Sequence, residues 1–141
     1  MQQILEFAHN HPILSMAWVG CLIAIIVTTF QGLTAKFRMI TPAELTLQVN
    51  RADGQVLDIR AIDDFRKGHI AGAKNVPAAD LANQLTNLEN YKDKPIIVVC
   101  YAGMTAQKAA TQLLAAGFAQ VSVLTGGMQK WADDKLPVVR K

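Results

Sequence analysis

"PIIVVCYAGMTAQKAA", residues 95–110, decides the fold. Pro95 to Val99 form an apolar, β-branched run without polar alternation, the pattern of a strand covered on both faces. Cys100 closes the run. A short turn containing Gly103 follows, and the alanine-rich segment from Thr105 reads as a helix that Gly117 caps. A strand covered on both faces needs a layer above and a layer below, so its neighbours in sequence should include helices.

They do. In "TPAE" (41–44) Thr41 caps a helix, Pro42 takes its first position and Glu44 completes a capping box. This helix is expected to run to Arg51. "QVLDI" (55–59) is a strand. "AIDDFRKGHI" (61–70) is a short helix, with Asp63 and Asp64 at its start and Arg66 and Lys67 later, as the helix dipole favours. "KNVPA" (74–78) is extended, and "AADLANQLTNLENYKDK" (78–94) reads as one helix. "QVSVL" (120–124) is a strand and "GGMQKWADDK" (126–135) a closing helix. Strands alternating with helices predict an α/β fold with a mostly parallel central sheet flanked by helices.

The start of the chain is different. "ILSMAWVGCLIAIIVTTFQGL", residues 13–33, contains no Asp, Glu, Lys or Arg and shows no polar face at helical period. A helix of about 20 such residues rises roughly 30 Å, the thickness of a bilayer's hydrocarbon core. The segment before it has no basic residue and "TTFQGLTAK" is a poor cleavage site, so an uncleaved anchor fits better than a signal peptide. The expected organisation is a short extracytoplasmic N-terminus (1–12), one transmembrane helix (13–33) in contact with membrane lipid, a juxtamembrane linker (34–40) and a folded domain (41–141). Every Lys and Arg lies at Lys36 or later, which by the positive-inside bias puts the N-terminus outside and the domain in the cytoplasm. Trp18, Phe30 and Phe37 suit the interfaces.

Of 141 residues, 51% are hydrophobic and 18% charged, and the net charge is +3. From Thr41 onward there are 12 Lys and Arg against 10 Asp and Glu, without a basic run or a stacking platform, which argues against nucleic acid as a partner. Cys21 lies in the apolar run and Cys100 in the domain. An anchored chain keeps them apart, and a reducing cytoplasm leaves Cys100 a free thiol.

In open α/β sheets ligands sit at the carboxyl ends of the strands, and that is where Cys100 falls. The loop from Tyr101 through Ala102, Gly103 and Met104 to Thr105 would wrap the sulfur. Its backbone N–H groups and the following helix start form an electropositive cup that favours the thiolate, the nucleophilic form of the thiol. An inert cysteine at a strand end is the plain alternative on this stretch alone.

Further stretches decide between them. "VLDIR" (56–60), "FRKGHIAGAKNVP" (65–77), "CYAGMT" (100–105) and "LTGGMQKW" (124–131) together resemble a rhodanese domain, in the family's order and spacing, over about Thr41 to Arg140. With its N-terminal anchor the chain is similar to the membrane-anchored single-domain rhodaneses of proteobacteria. The resemblance implies a sulfurtransferase of the bacterial inner membrane, with Cys100 as nucleophile and persulfide carrier and Tyr101 to Thr105 as the loop that stabilises the outer sulfur. It implies a small sulfur-containing donor, a thiol acceptor, and neither cofactor nor metal. The family also has inactive members, so the competing expectation is a tethered interaction module for a membrane protein. Many family loops carry Arg near the position of Thr105; its absence predicts weak use of thiosulfate or a preference for a less charged donor.

Asp58 and Arg60 match the family's Asp-x-Arg and are expected to brace neighbouring loops. A thiol-type phosphatase needs Arg six positions after the cysteine, where this chain has Ala106, so that chemistry is excluded. His69 reads as a packing residue, Trp131 as packing for the last helix, and Gly126 and Gly127 as a tight turn beside the active edge. His9 and His11 lack a nearby carboxylate or thiol and make a poor metal site.

Overall fold

The computed structural model describes residues 1–34 and 36–140. Ala35 of the expected linker and Lys141 at the end of the expected domain lie outside the described residues. Two compact units result, one from Met1 and one from Lys36 onward.

The first unit holds helices α1 (Gln2–Asn10) and α2 (Pro12–Thr34). Helix α1 is an addition to the sequence reading, which left 1–12 without structure. Pro12 cannot donate to α1 and fits the first position of a new helix, so the chain restarts there. Pro12 to Phe30 has a mean hydropathy of 2.3 with none of it buried, long and apolar enough to be a candidate membrane span. The Ser15, Thr28 and Thr29 hydroxyls donate back to the carbonyls of His11, Ala24 and Ile25, at 3.0, 2.9 and 2.7 Å.

The second unit contains β1 (Arg38–Ile40), α3 (Pro42–Ala52), β2 (Gln55–Asp58), α4 (Ile62–Lys67), β3 (Lys74–Asn75), α5 (Leu81–Gln84), a 3-10 helix (Thr86–Tyr91), β4 (Ile96–Val99), α6 (Met104–Ala115), β5 (Val121–Leu124) and α7 (Gly127–Asp133). The five strands form one sheet in the order β1-β5-β4-β2-β3, and every pairing is parallel. Strand β4 lies at its centre. Ile96 and Val98 pack with α5, the 3-10 helix and α6 through Leu81, Leu88, Ala106, Ala109, Ala110 and Leu113. Ile97 and Val99 pack on the other face with Leu45 of α3 and with Met128 and Trp131 of α7. Both faces of β4 are therefore covered, as its unbroken apolar run requires. The alanines of α6 at the spacing 106, 109, 110 let that helix lie close against the sheet.

Local signals translate directly into the ends of two helices. Thr41 Oγ1 accepts from the Glu44 N–H at 3.3 Å and Glu44 Oε2 from the Thr41 N–H at 2.9 Å, the expected capping box. Helix α6 ends in a Schellman motif: the Gly117 and Phe118 N–H groups donate to Leu114 and Leu113, each at 3.1 Å.

Three readings need correction. Residues 38–40, expected within the linker, are edge strand β1, which pairs Ile40 with Leu124 and buries Ile40 to 1% exposure. The expected single helix over 78–94 is instead α5 followed by a 3-10 helix. Its asparagines and threonine are weak helix formers, and the tighter turn brings Leu88 into the core. Met104 and Thr105, expected in the loop, are the first turn of α6.

Candidate active site

Cys100 follows β4 directly, at the carboxyl edge of the sheet. Its side chain points to the α6 face, where it is 5% exposed. The chain then crosses Tyr101 and Ala102, both exposed, and reaches Gly103. Gly103 has φ 97°, a left-handed conformation that a side chain would strain. This turn ends the loop early, so the free loop is Tyr101–Gly103 rather than Tyr101–Thr105. It also points the Gly103 N–H at Cys100 Sγ, 2.9 Å away. Met104, Thr105 and Ala106 occupy the first helical positions, whose N–H groups have no acceptor within a helix. Met104 is 79% exposed and Tyr101 64%, so two large side chains stand open at the loop.

Behind the loop lies α7. The Met128 N–H donates to the Cys100 carbonyl at 2.8 Å and the Gln129 N–H to the Tyr101 carbonyl at 2.9 Å. The "GG" pair in the sequence predicts a turn beside the active edge. That α7 holds the loop's carbonyls was not legible, because those two hydrogen bonds join segments far apart in the chain.

Asp58 and Arg60 stand at the end of β2, the neighbour of β4. Asp58 is buried and Arg60 half-buried, with Arg60 Nη2 2.7 Å from Asp58 Oδ2 and Nε donating to Oδ1 at 3.0 Å. Arg60 Nη2 also donates to the Gly68 carbonyl at 2.8 Å. Asn75 Nδ2 donates to the Asp58 and Arg60 carbonyls at 3.1 and 2.9 Å. These bonds tie the end of β2 to residues 68–75. Asn75 escaped the sequence reading, since one Asn carries no pattern.

The remaining candidates separate cleanly. His69 is buried, its ring stacks on Phe65 at 3.7 Å, and Nδ1–H donates to the Phe65 carbonyl at 2.8 Å. It is a packing residue by these contacts. Trp131 is buried against the α3 face and its Nε1–H donates to the Pro137 carbonyl at 3.0 Å. Asp63 and Asp64 lie in the first turn of α4. His9 and His11 are exposed in the other unit, and no group of three or more metal-ligating side chains exists among the described residues.

The site thus places a sulfur at the end of the central parallel strand, meets it with the N–H of a left-handed glycine, and follows that glycine with a helix. The family of rhodanese-like domains matches residues 41–134, and the chain belongs to that family. It is 51% identical to the uncharacterized protein YibN of Escherichia coli (strain K12) over 141 residues, 99% of each chain. It is also 35% identical over 95 residues to the thiosulfate sulfurtransferase GlpE of Pseudoalteromonas translucida, covering 67% of this chain and 89% of that one. Among solved structures, the rhodanese-related protein of Thermoplasma volcanium superposes with a TM-score of 0.67 at 30% identity, over 74% of this chain and all of that one.

Proposed function

We propose that this chain is a membrane-anchored sulfurtransferase whose Cys100 carries sulfane sulfur from a small donor to a thiophilic acceptor. The observation that carries the reading is the Gly103 N–H on Cys100 Sγ at 2.9 Å. That backbone donor, with the N–H groups at the start of α6 that have no acceptor within the helix, offers hydrogen bonds for the charge that displacement at sulfur develops. The kinship with GlpE proteins, thiosulfate sulfurtransferases by name, points to the same chemistry.

The reaction is two displacements on sulfur. The Cys100 thiolate attacks the donor's sulfane sulfur. A sulfur–sulfur bond forms to Sγ, and the bond to the donor breaks with its electron pair leaving on sulfite or a thiolate. An acceptor thiolate then attacks the outer sulfur, and Cys100 departs again as thiolate. No net oxidant is needed. Asp58 and Arg60 act from a distance, by holding the end of β2 beside the loop. The loop offers no arginine to a thiosulfate dianion, and the large exposed side chains at its rim are Tyr101 and Met104. A neutral persulfide donor is therefore expected to react faster than thiosulfate.

The anchor is α2. Its described residues present apolar side chains outward, and Ser15, Thr28 and Thr29 satisfy their hydroxyls within the helix, which suits a lipid environment. Lys36 and Arg38 follow it, and by the positive-inside bias they support an N-terminus outside and a rhodanese-like domain in the cytoplasm, at the inner membrane of a bacterium. The low exposure of Cys100 favours a second reading, a tethered module that binds a membrane-protein partner without catalysis.

Mass spectrometry separates the two. After incubation with a sulfane donor, the sulfurtransferase gains one sulfur atom and Cys100→Ala gains none. A folded wild-type chain that never takes up sulfur rules out the first reading.

A further inference from the structure

We infer that Gly127 is a positioning residue for the Cys100 loop: the turn it opens holds two loop carbonyls from behind and so aims the opposite N–H groups at the sulfur. The inference deepens the proposed persulfide chemistry and rests on it for its purpose. A trans peptide unit is planar, and its C=O and N–H point in opposite directions. The described chain has no cis peptide bond. The Cys100 carbonyl accepts from Met128 and the Tyr101 carbonyl from Gln129, at 2.8 and 2.9 Å. With both carbonyls turned toward α7, the Tyr101 and Ala102 N–H groups are turned away from it.

Which side is that? Met128 and Trp131 of α7 pack on one face of the sheet, with Val99. Cys100 packs on the opposite face, with Val98 and α6. The direction away from α7 is therefore the side on which Sγ lies. The Gly103 N–H, next in line, already touches that sulfur at 2.9 Å. The Gly103 N–H thus meets the sulfur itself, and the Tyr101 and Ala102 N–H groups are turned to the same side of the loop, where charge moves to the outer sulfur of a persulfide.

Only glycine permits this approach. A Cβ on residue 127 would fall on the Cys100 carbonyl oxygen and 2.6 Å from the Tyr101 carbonyl oxygen. The carbonyls and the turn must then separate, and a carbonyl released from α7 is free to rotate with its peptide plane. The N–H on the other side of that plane swings off the sulfur.

The test is the pH profile of Cys100 alkylation by iodoacetamide, measured on the full chain in a Cys21→Ala background. Gly127→Ala should lower the rate at neutral pH by about tenfold or more, by analogy with losing one preorganised donor, and move the profile to higher pH. Gly117→Ala is the control. Gly117 also has a left-handed φ, of 96°, but its added Cβ meets nothing within 4 Å, so it carries the strain without the clash. A second variant that keeps the backbone shape and every side chain replaces the Gln129 amide by an ester, which removes the N–H donated to Tyr101 and sets an oxygen against that carbonyl; it should shift the profile the same way. A folded Gly127→Ala protein with the wild-type profile overturns the inference, as does an equal shift in Gly117→Ala. If Gly127→Ala does not fold, the ester decides alone, and a wild-type profile there overturns it. Alkylation needs no sulfur donor, so a wild type that takes up no sulfur would break the proposed function and leave this profile to be read by itself.

Discussion

Two apolar stretches, Ile13–Phe30 and Pro95–Val99, are each associated with a cysteine, and the molecule treats them in opposite ways. In the second, Ile96 to Val99 are at most 1% exposed, covered by helices on both faces, and Cys100 behind them is buried. In the first, large side chains such as Ile13, Trp18, Ile25 and Phe30 are 78%, 69%, 61% and 65% exposed, and Cys21 is exposed with them. Apolar composition says that a segment leaves water. It does not say where its cover comes from. Strand β4 finds its cover in the same chain, whereas α2 displays its surface outward, and lipid is the proposed cover.

The largest expected effect breaks this comparison outright. A chain beginning at Lys36 should leave the membrane fraction entirely and remain folded and able to take up sulfur, as read by sedimentation and mass spectrometry. One beginning at Thr41 removes β1 and with it the buried Ile40, and should be less stable by about 2–5 kcal/mol in chemical denaturation.

Next comes the polar part of the covered region. Arg60→Ala leaves Asp58, 1% exposed, without its ion-pair partner. Stripping one member from a buried pair costs about 3–5 kcal/mol, so its denaturation midpoint should fall steeply. A wild-type midpoint would mean that the brace at β2 contributes nothing.

Ile97→Ala and Ile25→Ala then set the two stretches side by side. In β4 the substitution empties a site in the core and should cost about 2–5 kcal/mol of domain stability. In α2 the same substitution should leave the unfolding of the domain unchanged. Equal losses would show that α2 packs on protein rather than on lipid.

The smallest effect belongs to the exposed pair Lys94 and Asp53. The Asp53 carboxylate, by hydrogen bond and by charge, raises the Lys94 ammonium above the ordinary lysine range. A lysine held protonated by its partner contributes stability below its unfolded value and loses that contribution as pH rises through the folded one. Lys94→Met should therefore lower the melting temperature slightly at neutral pH. The difference from wild type should shrink in high salt and vanish at strongly alkaline pH.

The sequence alone determined much of this protein because much of it rests on local or periodic signals. The capping box at Thr41 and Glu44 and the glycine stop at Gly117 are read within one turn of chain. The apolar run at 13–33 and the doubly covered strand at 95–99 declare themselves by composition and length. Cys100 was placed at a strand's carboxyl edge by order of elements alone. Tertiary structure decided what depends on partners distant in the chain. Arg38–Ile40 has no strand pattern of its own and becomes one by pairing with Val121–Leu124. Leu81 and Leu88, seven apart, would share one face of a continuous helix, so the division of 78–94 into α5 and a 3-10 helix is seen only in the folded chain, where both leucines pack in the cluster around Ile96 and Val98. The loop around Cys100 takes its peptide orientation from Met128 and Gln129, which no spacing in the sequence announces, because a hydrogen bond between remote carbonyl and amide groups leaves no mark on the identity of the residues that make it.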